Sequence, residues 1–209
     1  MSNDTITFLG CGSWGAALGS VLENKGLNVR FWHRNSKTVS DMQMTREHYL
    51  MPDVKFGHGV SFHSDIKEAI IGSKNIVLAI PSQNIREIIA QIKNSINSSI
   101  CIINVAKGIE SETLKTVSEV VFDEIKDLSN YVTVSGPSHA EEVLANTPTA
   151  IVSASKNISA ANFVQKLFST NKLRVYTNDD LIGVEIGGSA KNVIAIAAGF
   201  CDGFGYGDN

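Results

Sequence analysis

Thr5-Ile6-Thr7-Phe8-Leu9-Gly10-Cys11-Gly12-Ser13-Trp14-Gly15-Ala16-Ala17 is the stretch that decides the fold. Thr5 to Leu9 is short and apolar and reads as a buried strand. Gly10, Gly12 and Gly15 then fall in the spacing G-x-G-x-x-G. Trp14 to Lys25 carries apolar residues at helical spacing, and Gly26 is placed to cap it. Asn28 to Trp32 reads as a second strand. Strand, glycine turn, helix and strand within about 30 residues is the context in which this hexapeptide binds a dinucleotide. The first glycine makes the tight turn. The second lets the backbone approach a pyrophosphate, and the third lets helix and strand pack closely. The helix N-terminus adds free N–H groups and a positive dipole end.

Further along, strands and helices alternate. Strands are expected at 75–80, 99–105, 132–134, 149–152 and 173–176. Helices are expected at 65–71, opened by Asp65 with Glu68 three residues on, and at 85–93, 112–125 and 159–168. The strands are continuously apolar, which predicts a mostly parallel sheet with helices on both faces, an α/β fold of the Rossmann type. A long apolar helix is expected from Asp179 to about Phe200, with nothing obvious to cover its second face. This divides the chain into a dinucleotide-binding domain at 1–178 and the start of a second, helical unit at 179–209.

Composition sets the outer limits. At about 150 residues per domain, 209 residues make one large domain or slightly more. The chain is 43% hydrophobic and 19% charged, which excludes general disorder. A net charge of -3 gives no basic footprint for nucleic acid. Cys11, Cys101 and Cys201 form no C-x-x-C pair and read as reduced thiols of a cytoplasmic protein. Met1 to Asp4 shows no basic leader. The longest apolar run, Val193 to Cys201, is about nine residues, too short to span a membrane. His33, His48, His58, His63 and His139 lack metal-ligand spacing and read as loop and surface residues, so no metal is expected.

Several residues bear on chemistry. An acid about 20 residues past the glycines would grip the ribose of NAD. Here Trp32-His33-Arg34-Asn35 stands instead. A guanidinium suits a 2′-phosphate, so Arg34 leans towards NADP, with NAD still open. Cys11 sits where a thiol pKa tends to fall, yet reads more simply as a small side chain beside the cofactor. Lys107 and Gly136-Pro137-Ser138 each follow a strand, at the edge where open α/β sheets bind ligands. Lys191 stands in an apolar helix, one turn from Gly187 and one from Ala195. It either snorkels to water or meets a ligand there as a proton donor. Asn192 beside it could orient a substrate hydroxyl.

Taken together, the motifs resemble the bacterial NAD(P)-dependent glycerol-3-phosphate dehydrogenases. The matching stretches are 10–17, 76–82, Ala106-Lys107-Gly108-Ile109-Glu110, Gly136-Pro137-Ser138-His139-Ala140-Glu141-Glu142-Val143, 148–150 and 187–199, in the family's order. The resemblance implies reversible hydride transfer between sn-glycerol 3-phosphate and dihydroxyacetone phosphate, a phosphorylated small molecule, with NAD or NADP. It implies that Ser13, Trp14, His33 and Arg34 contact the dinucleotide, and that Ala140 lies beside it. Lys107 would touch both cofactor and substrate. Gly136 and Ser138 would line the substrate site, and Lys191 would be the proton donor and acceptor. The family continues past Asn209 into an all-helical domain, so the chain reads as cut short, with an uncovered helix face suited to a homodimer. Two alternatives remain: a dinucleotide-binding module without catalysis, and a related β-hydroxyacid dehydrogenase. Smaller departures from the family are His139, where an aromatic is frequent, and Asn146, where glycine is frequent.

Overall fold

The computed structural model describes residues 5–137 and 139–207. The readings made for Ser138, for 1–4 and for 208–209 lie outside them. The chain opens with β1 (Ile6–Leu9), α1 (Ser13–Asn24) and β2 (Val29–Trp32), as the glycine spacing predicts. Gly26 takes φ +80°, and its N–H donates to the Glu23 carbonyl at 2.7 Å to end α1. Next come α2 (Ser36–Thr45), the hairpin β3 (Glu47–His48) and β4 (Met51–Lys55), and β5 (Val60–His63). The sequence reading left out all four. α2 buries only Met42, so it shows no apolar stripe; it is held at its start by the Asn35 side chain, which accepts from the Lys37 and Thr38 N–H groups.

α3 (Ile66–Ile70) begins at Asp65, whose carboxylate accepts from the Lys67 and Glu68 N–H groups at 2.7 and 3.2 Å. β6 (Asn75–Leu78), α4 (Ile85–Ile92) and β7 (Cys101–Asn104) follow. The helix expected at 112–125 is shorter: α5 spans Val117–Glu124. Residues 109–116 instead form a closed turn, with Ile109 bridged to Thr116 and Leu114 at φ +57°. The true start is a capping box, in which Thr116 and Glu119 bond each other's backbone. Arg86 on α4 anchors this turn by pairing with Glu110 at 2.8 Å, which holds the Glu110 carboxyl down at about 2.

The remaining elements are β8 (Asn130–Ser135), the short α6 (Ala140–Leu144), β9 (Thr149–Ala154), α7 (Ile158–Phe168), β10 (Leu173–Asn178) and α8 (Leu181–Gly203). Asn146, after α6, sits at φ +58°. That left-handed conformation suits glycine or asparagine and accounts for the departure noted above.

Eight strands make one sheet in the order β10-β9-β8-β7-β6-β1-β2-β5. All pairs are parallel except β8–β9. Neighbouring strands send alternate residues to two cores. Phe8, Val77 and Ile103 face one, while Leu9, Ile76, Leu78 and Ile102 face the other. Burial on both faces is why these strands are continuously apolar.

The reversal at β9 has a consequence for α8. β10 runs parallel to β9, so it ends at the opposite edge of the sheet from β1, β6, β7 and β8. α8 therefore starts at that far edge and climbs beside β8. Glu185 bonds Tyr131 and Thr133, and Gly188 reaches the level of Ser135.

α8 differs from expectation in one respect. It is 23 residues long with a mean hydropathy of 1.4, which meets the length and composition needed to cross a membrane. Small and polar interruptions kept the longest unbroken run short. Its first half packs along one face, with Leu181 and Glu185 buried and Ile182 and Ile186 exposed on the other. Its second half exposes Val193, Ile194, Ile196 and Phe200, as the uncovered face predicts.

Candidate functional site

The carboxyl ends of β1, β2, β6, β7 and β8 form the rim. β1 and β6 are adjacent but leave the sheet in opposite directions of strand order, which opens a crevice between them. The glycine turn lies there. Gly10 has φ +108°, and a Cβ on it would fall 2.3 Å from the Ala79 carbonyl oxygen. A Cβ on Gly15 would fall 2.9 Å from the Ala79 Cβ. These two glycines let β1, β6 and α1 approach one another. Gly12 caps α1 and faces open space. The turn thus has the form of a pyrophosphate cradle, open on the side where a ligand would sit.

Beside it is a cleft of about 530 Å³. Trp32, His33 and Arg34 line one side, and Pro81 and Glu87 line the other. Arg34 is exposed at the mouth. The His33 ring lies 5.1 Å from that of Tyr49. Tyr49 belongs to the segment between β3 and β4, so the hairpin missed in the sequence forms a wall of this cleft. His48 is also corrected. It is not a surface residue but is 1% exposed, with Nε2 2.8 Å from the Cys11 carbonyl oxygen. His63 lies in β5. Among the described residues no cluster of His, Cys, Asp or Glu could hold a metal ion.

Cys11 lines the cleft as a small side chain and does not show the lowered thiol pKa that its place at a helix start suggests. It is buried, and burial pushes its thiol well above the usual range. The helix terminus cannot offset the loss of water. Burial also pushes the Cys101 thiol up to about 12. Cys201 is exposed on α8. A thiol-alkylating reagent should therefore modify Cys201 in the folded chain and reach Cys11 and Cys101 only after unfolding. Peptide mapping of the labelled protein checks this, and prompt labelling of Cys11 would refute it.

Further along the rim, Lys107 is half-buried and donates to the Gly136 carbonyl at 3.1 Å. Its Nζ lies 5.9 Å from the centre of the Trp14 ring. Burial lowers the pKa of Lys107, and the nearby charge of Lys191 lowers it further. Ser13, Trp14, Lys107 and Ala140 line one hollow of about 360 Å³. Gly136, Gly187, Gly188 and Lys191 line the next, of about 280 Å³. Lys107 bonds across from the first to the second. Ser189 Oγ accepts from the Gly108 N–H at 3.1 Å and donates to the Glu185 carbonyl at 2.8 Å, so the Lys107 loop is tied directly to α8. Asn192 is exposed beside Lys191.

Sequence reading missed the residue that fixes α8. Glu185 is 5% exposed. Its carboxylate accepts from the Ser118 N–H, the Ser118 hydroxyl, the Tyr131 hydroxyl and the Thr133 hydroxyl, at 3.0, 2.6, 2.9 and 2.8 Å. The available signal was an acid inside an otherwise apolar helix.

The fold and this rim define a dinucleotide-binding domain of the Rossmann type, joined to a helix that brings a lysine to its ligand edge. The family model described as the N-terminus of NAD-dependent glycerol-3-phosphate dehydrogenase matches residues 5–161. The corresponding C-terminal model matches 180–209. The chain belongs to the NAD-dependent glycerol-3-phosphate dehydrogenase family. It is 47% identical over 205 residues to the NAD(P)+ glycerol-3-phosphate dehydrogenase of Clostridium tetani, covering 98% of this chain and 58% of that one. It is 44% identical over 207 residues to that of Bacillus pumilus, covering 98% and 60%. The crystal structure of glycerol-3-phosphate dehydrogenase from Coxiella burnetii superposes with a TM-score of 0.90 at 36% identity, over 99% of this chain and 63% of that one. The chain thus spans about three fifths of the length of these relatives.

Proposed function

We propose that this chain carries the dinucleotide site and the proton-transferring lysine of an oxidoreductase that interconverts dihydroxyacetone phosphate and sn-glycerol 3-phosphate. The observation that carries this reading is the pairing of Lys107 and Lys191 across one rim, next to a glycine turn shaped for pyrophosphate. Two cations beside a phosphate-binding turn suit an anionic substrate held next to a dinucleotide. Gly10, Gly12, Ser13, Trp14 and Gly15 would hold the pyrophosphate side, His33 and Arg34 the adenosine side, and Ala140 and Lys107 the remainder. Lys107, Gly136, Ser138, Lys191 and Asn192 would surround the substrate. Residues 1–178 would form the dinucleotide unit and 179–209 the start of the substrate unit.

The nicotinamide ring, when bound, supplies the hydride. The protein's part is orientation and a proton. Lys191 Nζ would donate to the substrate carbonyl oxygen as negative charge develops there. Lys107 would stay charged against the substrate and hold it in register with Lys191. The exposed apolar side of α8 supports burial against further protein, in a longer chain or in a homodimer. A cytoplasmic location and supply of a phospholipid precursor follow from the same reading.

A polypeptide of the relatives' full length, given dihydroxyacetone phosphate and NADPH or NADH, should consume the cofactor. No consumption with this substrate, alongside turnover of a β-hydroxyacid, would overturn the assignment. Arg34 decides between the cofactors. Arg34→Ala should weaken NADP+ by about tenfold, about 1.4 kcal/mol, and leave NAD+ nearly unchanged. Equal loss for both, measured by quenching of tryptophan fluorescence, would mean that Arg34 does not read the 2′-phosphate.

A further inference from the structure

His48 is the buried titratable group that this reading leaves without a task. It stands at the end of β3 with 1% of its surface exposed. Its Nδ1 accepts from the Leu50 N–H at 3.3 Å, so the proton of the neutral ring sits on Nε2. Nε2 must then donate to the Cys11 carbonyl oxygen, 2.8 Å away. The groups around the ring favour the neutral form. His33 lies near it just past the end of β2, the Tyr49 ring lies tilted against it at 4.9 Å, and the Phe56 ring, at the start of the loop after β4, stands 6.1 Å away. Burial lowers the pKa of His48, and the charge of His33 lowers it further against the opposing pull of the Cys11 carbonyl.

The bonded carbonyl belongs to the peptide that joins Cys11 to Gly12, in the middle of the phosphate turn. Among the described residues every peptide bond is trans. In a trans peptide the C=O and the next N–H point in opposite directions. The Cys11 oxygen points to a buried ring, so the Gly12 N–H points away from that ring, and both residues line the cleft. Glycine leaves this peptide free to turn over, because rotation about the Gly12 N–Cα bond meets no Cβ. Turned over, it would aim a carbonyl oxygen at the place a pyrophosphate occupies, and repel it.

We infer that His48 is a positioning residue for dinucleotide binding: its Nε2–H holds the Cys11–Gly12 peptide in the one orientation that offers the Gly12 N–H to an anionic diphosphate. The inference rests on the cleft being a dinucleotide site. It assigns a role to the β3–β4 hairpin, which supplies the clamp from outside the βαβ unit that bears the glycines.

The test uses the 209-residue chain with NADP+, NAD+ and adenosine 2′-monophosphate as probes. The last keeps the adenosine half and has no pyrophosphate. His48→Phe keeps a flat ring and removes the donor. It should weaken NADP+ and NAD+ alike, by about tenfold, the size of one lost hydrogen bond to a buried carbonyl. It should leave adenosine 2′-monophosphate unchanged. His48→Gln carries an amide N–H where Nε2 stood and should stay within about threefold of wild type. His48→Asn is polar but too short to reach the carbonyl, and should behave as the Phe variant does. It replaces that variant if the latter fails to fold. Unchanged NADP+ and NAD+ affinity in the Phe and Asn variants would overturn the inference. So would equal loss of all three ligands, which marks a general collapse, or failure of Gln to restore binding. If the wild-type chain binds none of the probes, the dinucleotide reading itself falls, and the clamp with it.

Discussion

Lys191→Ala, in a polypeptide of the relatives' full length, should lower turnover of dihydroxyacetone phosphate by about a thousandfold and leave NADP+ affinity at its wild-type value. The separation follows from the layout. The glycine turn and Arg34 line the cleft beside β2, whereas Lys191 lines the hollow beside Gly136 and Gly188. Removing the amine deletes a proton donor and a positive charge together, and Lys191→Arg tells them apart. Arginine keeps the charge, but its guanidinium does not give up a proton near neutral pH. It should hold the substrate while losing turnover as severely as alanine does. Steady-state rates and a cofactor titration on the same samples check both parts. Turnover retained in the alanine variant would remove Lys191 from the chemistry.

Glu185→Ala should cost about 3 kcal/mol of stability and lower the melting temperature by roughly 6–12 °C. The loss comes from four donors left in a dry site. Hydroxyls can turn to other acceptors, since Thr133 already lies 3.2 Å from the Tyr131 hydroxyl. The Ser118 N–H cannot turn. Tyr131 cannot ionise to relieve the site, because burial and the Glu185 carboxylate push its phenol well above the usual range. Glu185→Gln should be far milder. Its oxygen can keep the Ser118 N–H, Tyr131 and Thr133 bonds. Its amide can donate to Ser118 Oγ, which is free to redirect its own hydrogen to Thr116 Oγ1 at 3.1 Å. Thermal unfolding of the two variants decides the matter. Equal losses would mean that the charge, not the hydrogen-bond set, stabilises this contact.

The contrast between these residues shows what was legible in the sequence. Gly10 and Gly15 announce themselves because backbone crowding restricts those positions, and the restriction is local. Lys191 was visible because a charge in an apolar helix is costly. Glu185 is as costly, yet its partners come from β8 and α5, more than fifty positions away in the chain, and no spacing rule links them. The hairpin at 47–55 was invisible for another reason. Its strands are short and mostly polar, with little apolar alternation to betray them, so His48 and Tyr49 looked like loop residues. α5 was drawn too long because the polar stretch after Glu110 has helical composition, while Leu114 in the left-handed region breaks it. A mostly parallel sheet followed from the alternation of elements, but its strand order, its edge strand β5 and the antiparallel turn of β9 did not. Its residues are as apolar as those of its parallel neighbours, and direction leaves no mark on composition.

That reversed strand makes α8 and β8 into two rulers laid side by side. From Glu185 to Lys191 the helix rises six residues, about 9 Å at 1.5 Å each. From Thr133, which Glu185 grips, to Gly136 at the rim, the strand advances three residues, about 10 Å at 3.3 Å each. The two scales read nearly the same length, so a helix fastened at its second turn delivers its amine at the height where the strand stops. Adding one residue to the helix alone would also swing the amine through about 100°. The gauge between anchor and rim is therefore set in whole residues and has no fine adjustment.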